Sequence, residues 1–324
     1  MAEMKKAVLA VLAAVTLALS ASVHAQSWPV KPIRLLVGFA PGGTADVSAR
    51  FTGDIVSKEL GQPVIVENRP GGSGSVGIEA TIHNPADGYT LFVGSDSAFY
   101  QPVLRPKLGY RWEKDLKPIA ILTIQPIVIV VNPAPGWRNI GELVKTAKAR
   151  PGEIAYGLSS PTGTQAVVGA AFFKLAGAKM VPVPYKGGGQ AIVDLVSGQV
   201  PVAVLGSAPV LPQLKAGRVK VLAVTSKARS RIFPDVPTLA EQGYPQIDLA
   251  QWFGVVAPAG VPDEIVTRLS AAFNKALSDP TIAQRLFASG LEVVGGSPAQ
   301  MAKRMAAENV IWSKAANEAG LIEK

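Results

Sequence analysis

The stretch Ile33-Arg34-Leu35-Leu36-Val37-Gly38-Phe39-Ala40-Pro41-Gly42-Gly43-Thr44-Ala45-Asp46-Val47-Ser48-Ala49-Arg50 sets the pattern for the chain. Ile33 to Phe39 is an almost unbroken apolar run, which suits a strand covered on both faces. Pro41-Gly42-Gly43 ends that strand. Gly43 or Thr44 then opens a helix whose apolar positions Val47, Phe51, Ile55 and Val56 fall on one side. Glycines lack a Cβ, so backbone N–H groups and the positive end of the helix dipole can face whatever sits above the strand end. That is an anion site in outline. Any parallel α/β unit needs a tight βα turn as well, so function follows only where several such turns converge.

Further along, the unit repeats. Strands from Val64 to Glu67 and from Tyr89 to Gly94 flank a short helix near Val76 to Ile82, and Ser95 lies at the same strand-end edge as Pro41-Gly42-Gly43. Gly72-Ser73-Gly74-Ser75-Val76-Gly77 matches a dinucleotide fingerprint. Five residues separate it from the preceding strand, however, and the following helix ends by Asn84-Pro85, too soon for a full crossover. It reads instead as a glycine-rich loop leading into a short helix packed near the first turn. Ile119 to Val131, broken by Gln125-Pro126, is expected to be a crossing segment feeding a strand from Ile127 to Val131. Asn139 opens a helix in the manner of a capping box. A strand from Ile154 to Gly157 then leads into Leu158-Ser159-Ser160-Pro161-Thr162-Gly163-Thr164-Gln165 and a helix ended by Gly177. Thr162 or Thr164 is expected to cap that helix, leaving further hydroxyls, with Ser159, for a ligand. Tyr185 lies at another strand end and joins the candidate site, whereas Lys186 reads as a solvated loop residue. A strand from Phe253 to Ala257 returns to the first unit. Helices starting at Pro262, Pro280 and Pro298, each with proline at the first helical position, are expected to pack against the first sheet. This alternation predicts an α/β fold with mostly parallel sheets and ligands at the carboxyl ends of the strands.

Composition excludes several chemistries. Lys5-Lys6, the apolar run Ala7 to Leu19 and Val23-His24-Ala25 predict a signal peptide over residues 1–25 and a periplasmic protein. Loss of Glu3, Lys5 and Lys6 with that leader lowers the net charge of +9 by one. The basic residues are scattered and aromatics few, which argues against nucleic acid and fits attraction of small anions. With no cysteine, disulfides, thiolate metal sites and a cysteine nucleophile are excluded. His83 is the one histidine outside the leader and reads as a surface residue, so a histidine-based zinc cluster is excluded too. No Gly-x-Ser-x-Gly elbow occurs. Neither metal nor cofactor is expected.

Trp28-Pro29-Val30-Lys31-Pro32-Ile33-Arg34 running into Gly38-Phe39-Ala40-Pro41-Gly42-Gly43-Thr44-Ala45-Asp46, then Val66-Glu67-Asn68-Arg69-Pro70-Gly71-Gly72 and Ala86-Asp87-Gly88-Tyr89-Thr90-Leu91, resemble the Bug receptor family. Its members are periplasmic substrate-binding proteins of tripartite tricarboxylate transporters. The similarity continues through Val183-Pro184-Tyr185-Lys186-Gly187-Gly188, Lys215-Ala216-Gly217-Arg218, Asp235-Val236-Pro237-Thr238, Trp252-Phe253-Gly254 and Ala257-Pro258-Ala259-Gly260. The resemblance implies a two-lobed type II periplasmic binding-protein fold with a hinged cleft. Lobe 1 would comprise residues 26–122 and 251–324, and lobe 2 residues 123–250. It also implies carboxylate ligands and delivery to a membrane permease of two different subunits. Its first-lobe loop maps to Phe39, Ala40, Gly42, Gly43, Thr44 and Asp46, and its second-lobe loop to Ser159, Thr162, Gly163 and Thr164. The chain departs from the family at Gly163-Thr164-Gln165-Ala166-Val167-Val168-Gly169-Ala170-Ala171, which lacks the common His and Glu, and at Pro201, where an aspartate is common.

These departures and the basic charge favour a dicarboxylate or aromatic carboxylate over an amino acid, bound by a monomer. Two alternatives stand beside this reading. One is an exported hydrolase using Asp46 or Asp96 in the same cleft; the other is a sensing module that binds without transport.

Overall fold

A computed structural model describes residues 28–323; the leader reading and His24 lie outside them. The first unit runs β1 (Ile33–Val37), α1 (Thr44–Leu60), β2 (Val64–Asn68), α2 (Ser75–Ile82), β3 (Thr90–Ser95), α3 (Asp96–Leu104) and α4 (Trp112–Asp115). The long β4 (Leu116–Val131) leads into α5 (Ile140–Ala149), β5 (Ala155–Leu158), α6 (Thr164–Leu175), β6 (Val181–Pro184), α7 (Gly188–Ser197), β7 (Val202–Gly206), α8 (Ser207–Lys215) and β8 (Lys220–Val224). The chain closes with β9 (Ala250–Pro258), α9 (Asp263–Leu277), α10 (Pro280–Ala288), β10 (Glu292–Gly295) and α11 (Pro298–Ala319).

β4 organises two halves. The expected crossing segment is instead one continuous strand, because its two parts pair with different partners. Leu116 to Pro126 pairs antiparallel with β9, and β10 joins the same part. From Ile127 to Val131 the partners are β7 and β8. The strand order is β2-β1-β3-β9-β4-β7-β5-β6, with β8 and β10 also on β4. Pairs of β1 with β2 and β3, and of β5 with β6 and β7, are parallel. Every pair involving β4 or β9 is antiparallel, so the sheets are mixed rather than mostly parallel.

Burial follows the apolar patterning. Ile33, Leu35, Leu36 and Val37 of β1 are all buried, as a strand covered on both faces requires. One apolar cluster joins Ile33, Leu35 and Val37 to α1 and to Leu269 and Phe273 of α9, while another packs α7 and α8 onto β7 and β8. The third spans both halves, from Phe92, Phe99 and Trp252 to Tyr156 and Phe172, and it contains Met301, Met305 and Trp312 of α11. The last helix therefore does not pack on the first sheet alone; it lies against α3 of one half and α6 of the other. Pro262 is the cap rather than the first residue of α9, whereas Pro280 and Pro298 open their helices.

The glycine-rich segment has a packing role. A Cβ at Gly38 would come within 2.9 Å of the Gly74 Cα, and one at Gly77 within 2.7 Å of Phe92. Only glycine lets β1 and α2 approach this closely.

Candidate functional site

Asp46 holds the first turn. Gly42 adopts φ 75°, a left-handed conformation suited to glycine, and its N–H donates to Asp46 Oδ2 at 2.9 Å. Asn68 Nδ2 donates to the same carboxylate at 2.9 Å, and Arg50 Nε at 3.0 and 3.1 Å to its two oxygens. Burial opposes the ionised form of Asp46, but hydrogen bonds from Arg50, Gly42 and Asn68 outweigh it and hold the carboxyl below its usual range. Asn68 also donates to the Phe39 carbonyl at 3.0 Å, so one amide braces both sides of the turn. On its outer side Ala40, Pro41 and Gly42 are exposed, with Phe39, Gly43 and Thr44 half-buried. Gly43 is the helix cap, and a Cβ there would meet only the Ala40 carbonyl oxygen, at 3.2 Å.

On the other side the loop after β5 reaches across to the first half. Neither Thr162 nor Thr164 caps α6. The cap position belongs to Gly163, which has no side chain, and Thr164 is the first helical residue, from which a hydroxyl is poorly placed to reach its own helix's N–H groups. Thr164 Oγ1 instead donates to Oδ1 of buried Asp96 at 2.8 Å. Thr162 Oγ1 lies 2.8 Å from Ser73 Oγ, and Ser73 also donates to Ser160 Oγ at 3.2 Å. Gln101 Nε2 donates to the Thr162 carbonyl at 2.7 Å. Among the described residues, the side-chain hydrogen bonds of this loop thus join it to Ser73, Asp96 and Gln101, and none joins it to the turn at Gly42 and Gly43.

Buried amides join the halves. Gln251 Oε1 accepts from Gln125 Nε2 at 2.6 Å and from Gln165 Nε2 at 2.9 Å. Ser207 Oγ and the Ala208 N–H, at the start of α8, approach Gln125 Oε1 at 3.3 Å each. Ser48 and Thr123 hydroxyls pair at 3.0 Å, tying α1 to β4. Four helices thus begin where strands deliver the chain to this region, α1, α3, α6 and α8, and none has a side-chain cap. Ser95 holds the cap position of α3, yet its hydroxyl pairs with Ser97 at 2.8 Å. Elsewhere among the described residues α5, α10 and α11 carry side-chain caps from Asn139, Asp279 and Ser297, whereas α2, α4, α7 and α9 carry none, so the lack of a cap is shared more widely than by these four. Uncapped first-turn N–H groups are what an anion needs.

Tyr185 sits apart, its hydroxyl donating to Asp194 at 2.8 Å. Burial and the Asp194 carboxylate push that phenol up to about 12. Ser73, Gln101, Gln125, Gln165, Gln251 and Ser207 were not among the expected site residues. A signal for two of them lies in the sequence: Gln125 and Gln251 interrupt otherwise apolar strands, and a buried amide there must find a partner. His83 is exposed, as expected, with Nδ1 2.6 Å from the Glu79 carbonyl. Among the described residues no group of three or more His, Cys, Asp or Glu is placed to hold a metal ion, and no helix is long and apolar enough to cross a membrane.

Residues 48–321 match the tripartite tricarboxylate transporter family receptor. Protein BugT of Bordetella pertussis is 37% identical over 311 residues, which are 94% of each chain. A solved structure of a periplasmic transporter superposes with a TM-score of 0.86 at 33% identity, covering 91% of this chain and 99% of its own. Two Rhodopseudomonas palustris structures are similar. MatC with bound malate gives a TM-score of 0.83 at 29% identity, covering 89% of this chain and 99% of its own. A protein with adipate gives 0.83 at 32% identity, covering 90% and 98%. The architecture is the two-lobed periplasmic binding-protein fold, and the chain belongs to the receptor family of tripartite tricarboxylate transporters.

Proposed function

We propose that this protein captures a small carboxylate between its two halves and hands it unchanged to a membrane permease. The observation that carries this reading is the meeting of α3 and α6 at the Asp96–Thr164 hydrogen bond, which brings two uncapped helix starts together in a buried place. Relatives holding malate and adipate support the ligand class. The proposed contacts are the backbone of Phe39, Ala40, Gly42, Gly43 and Thr44 with Ser95 on one side and Ser159, Thr162, Gly163 and Thr164 on the other. Asp46 acts through the turn that it holds, and Tyr185, engaged with Asp194 and set apart from these residues, is left outside the proposed contacts. The lobes proposed are residues 26–122 with 251–324 and residues 123–250. A hinge near Gln125-Pro126 and Ala250-Gln251 fits the place where β4 changes partners. The protein acts as a periplasmic monomer, delivered there by the signal peptide of residues 1–25.

A carboxylate bound with micromolar or better affinity needs about 8 kcal/mol. Charge-assisted hydrogen bonds contribute about 1.5–3 kcal/mol each, so three or four convergent donors suffice before association costs are deducted. At a hundredfold excess over its dissociation constant, the ligand stabilises the folded state by roughly 2.7 kcal/mol. A thermal-shift screen of mono-, di- and tricarboxylates tests this: at least one gives an upward shift, and none doing so overturns the reading. Recovery of intact ligand after long incubation separates binding from hydrolysis.

A further inference from the structure

We propose that Asp96 takes up one proton when a carboxylate enters the cleft, so that ligand and proton are captured together and affinity falls as pH rises. This rests on the carboxylate reading above. Asp96 opens α3, is 1% exposed, and lies where the halves meet, its Oδ1 accepting from Thr164. Among the described residues, its charged and titratable surroundings offer it no free cation. From α11 it faces Glu308 and Arg304, but Arg304 Nε is committed to Glu308 at 2.7 Å, and Glu308 also accepts from Trp252. Its own helix contributes Tyr100, whose hydroxyl donates to the Met305 carbonyl at 3.2 Å. The neutral hydroxyl of Thr164 is what α6 presents.

Burial first, and then the charge of Glu308, push the Asp96 carboxyl well above its usual range; the Thr164 hydroxyl, the Ser97 N–H and Arg304 pull the other way without winning. A ligand carboxylate held at the starts of α3 and α6 adds a second negative charge beside it. Two carboxylates sharing one site do not both stay ionised, and one of them holds a proton. Dicarboxylates have ordinary carboxyl strength and reach the cleft ionised at neutral pH, whereas Asp96 is already disposed to protonate. The proton comes from solvent. It leaves Asp96 neutral and able to donate, and the ligand's charge is then opposed by the helix starts alone.

The test is calorimetric titration of the purified protein with adipate and with malate from about pH 7 to about pH 9, where both carboxyls of each ligand are ionised. Buffers of unlike protonation enthalpy count the protons taken up. Expected is a limb along which affinity falls about tenfold per pH unit with uptake of one proton. Asp96→Asn removes both the limb and the uptake. Glu308→Gln leaves the low-pH affinity within about twofold but moves the limb to lower pH, because a negative charge that favours protonated Asp96 is gone. Should Asp96→Asn fail to fold, the shift in Glu308→Gln decides alone. Flat affinity in the unmodified protein, or an unmoved limb in Glu308→Gln, overturns the inference while leaving carboxylate binding in place. Absence of binding by both ligands at every pH overturns the carboxylate reading and this inference with it.

Discussion

Replacing Asp46 by alanine tests whether this residue is the brace of the first turn. Its carboxylate accepts from the Gly42 N–H, from Asn68 Nδ2 and from Arg50 Nε. Hydrogen bonds to a charged acceptor contribute about 1.5–3 kcal/mol each. Gly42 is exposed and Asn68 half-buried, so the low end applies to both. Arg50 is 51% exposed, and solvent screening holds its share below about 1 kcal/mol. The total is about 3 kcal/mol, read by urea unfolding at neutral pH from tryptophan fluorescence. Asp46→Asn, which keeps one acceptor, is expected to lose about half as much. The sign with pH follows from the lowered carboxyl value in the folded protein. Such a group stabilises above its unfolded value of about 3.9 and loses that contribution as pH falls through the lower folded value. The gap between Asp46→Ala and the unmodified protein should therefore close in acid. A difference below about 1 kcal/mol at neutral pH, or one that persists when the carboxyl is protonated, would refute this role.

Three further outcomes are expected. Gly43→Val keeps the fold, since its added Cβ meets only the Ala40 carbonyl oxygen, but places a side chain where the ligand approaches the helix start and abolishes adipate binding; undiminished affinity removes this turn from the site. Gln251→Leu leaves the Gln125 and Gln165 amides without their shared acceptor and costs roughly 2–5 kcal/mol of stability; a loss under 1 kcal/mol in urea unfolding would show that water replaces it. Succinate, adipate or terephthalate binds more tightly than aspartate or glutamate, because Asp46 is committed to its own turn and the surroundings of Asp96 disfavour its charged form, leaving an ammonium without an anionic partner. Calorimetry that ranked either amino acid first would contradict this.

What the sequence disclosed depended on range. Local signals sufficed for the βα turn at Pro41-Gly42-Gly43, for the Asn139 cap and for the glycine-rich approach to α2, since each is decided within a few residues. Gln125-Pro126 misled because proline lacks an N–H and reads as a break. Pairing of the two parts of β4 with strands distant in sequence overrides that local cost. The cross-cleft partners were invisible for a related reason. Thr164 looks like a cap from its neighbours, and only the packing of α3 against the loop after β5 reveals Asp96 as its acceptor. Likewise nothing near Ser73 in the sequence announces Thr162, 89 residues away.

The proposed site also gives a reason for the buried amides that join the halves. Gln125 and Gln251 stand opposite each other on β4 and β9, strands that the halves share, and they carry hydrogen bonds onward to the starts of α6 and α8. Neutral amides fix both helix starts at the cost of one first-turn N–H, that of Ala208, and leave the dipole ends uncancelled, whereas a carboxylate at the same positions would neutralise them. A lysine or arginine there would bind an anion more strongly but would be left buried and unpaired whenever the ligand departed, at a cost of several kcal/mol. A receptor that must release its cargo gains from the weaker arrangement. Glu308 is answered by Arg304, Asp46 by Arg50 and Asn68, and Asp96 by a proton when the ligand is present. On that arrangement the captured carboxylate is the one net charge at the meeting point of α3 and α6, held by oriented backbone groups.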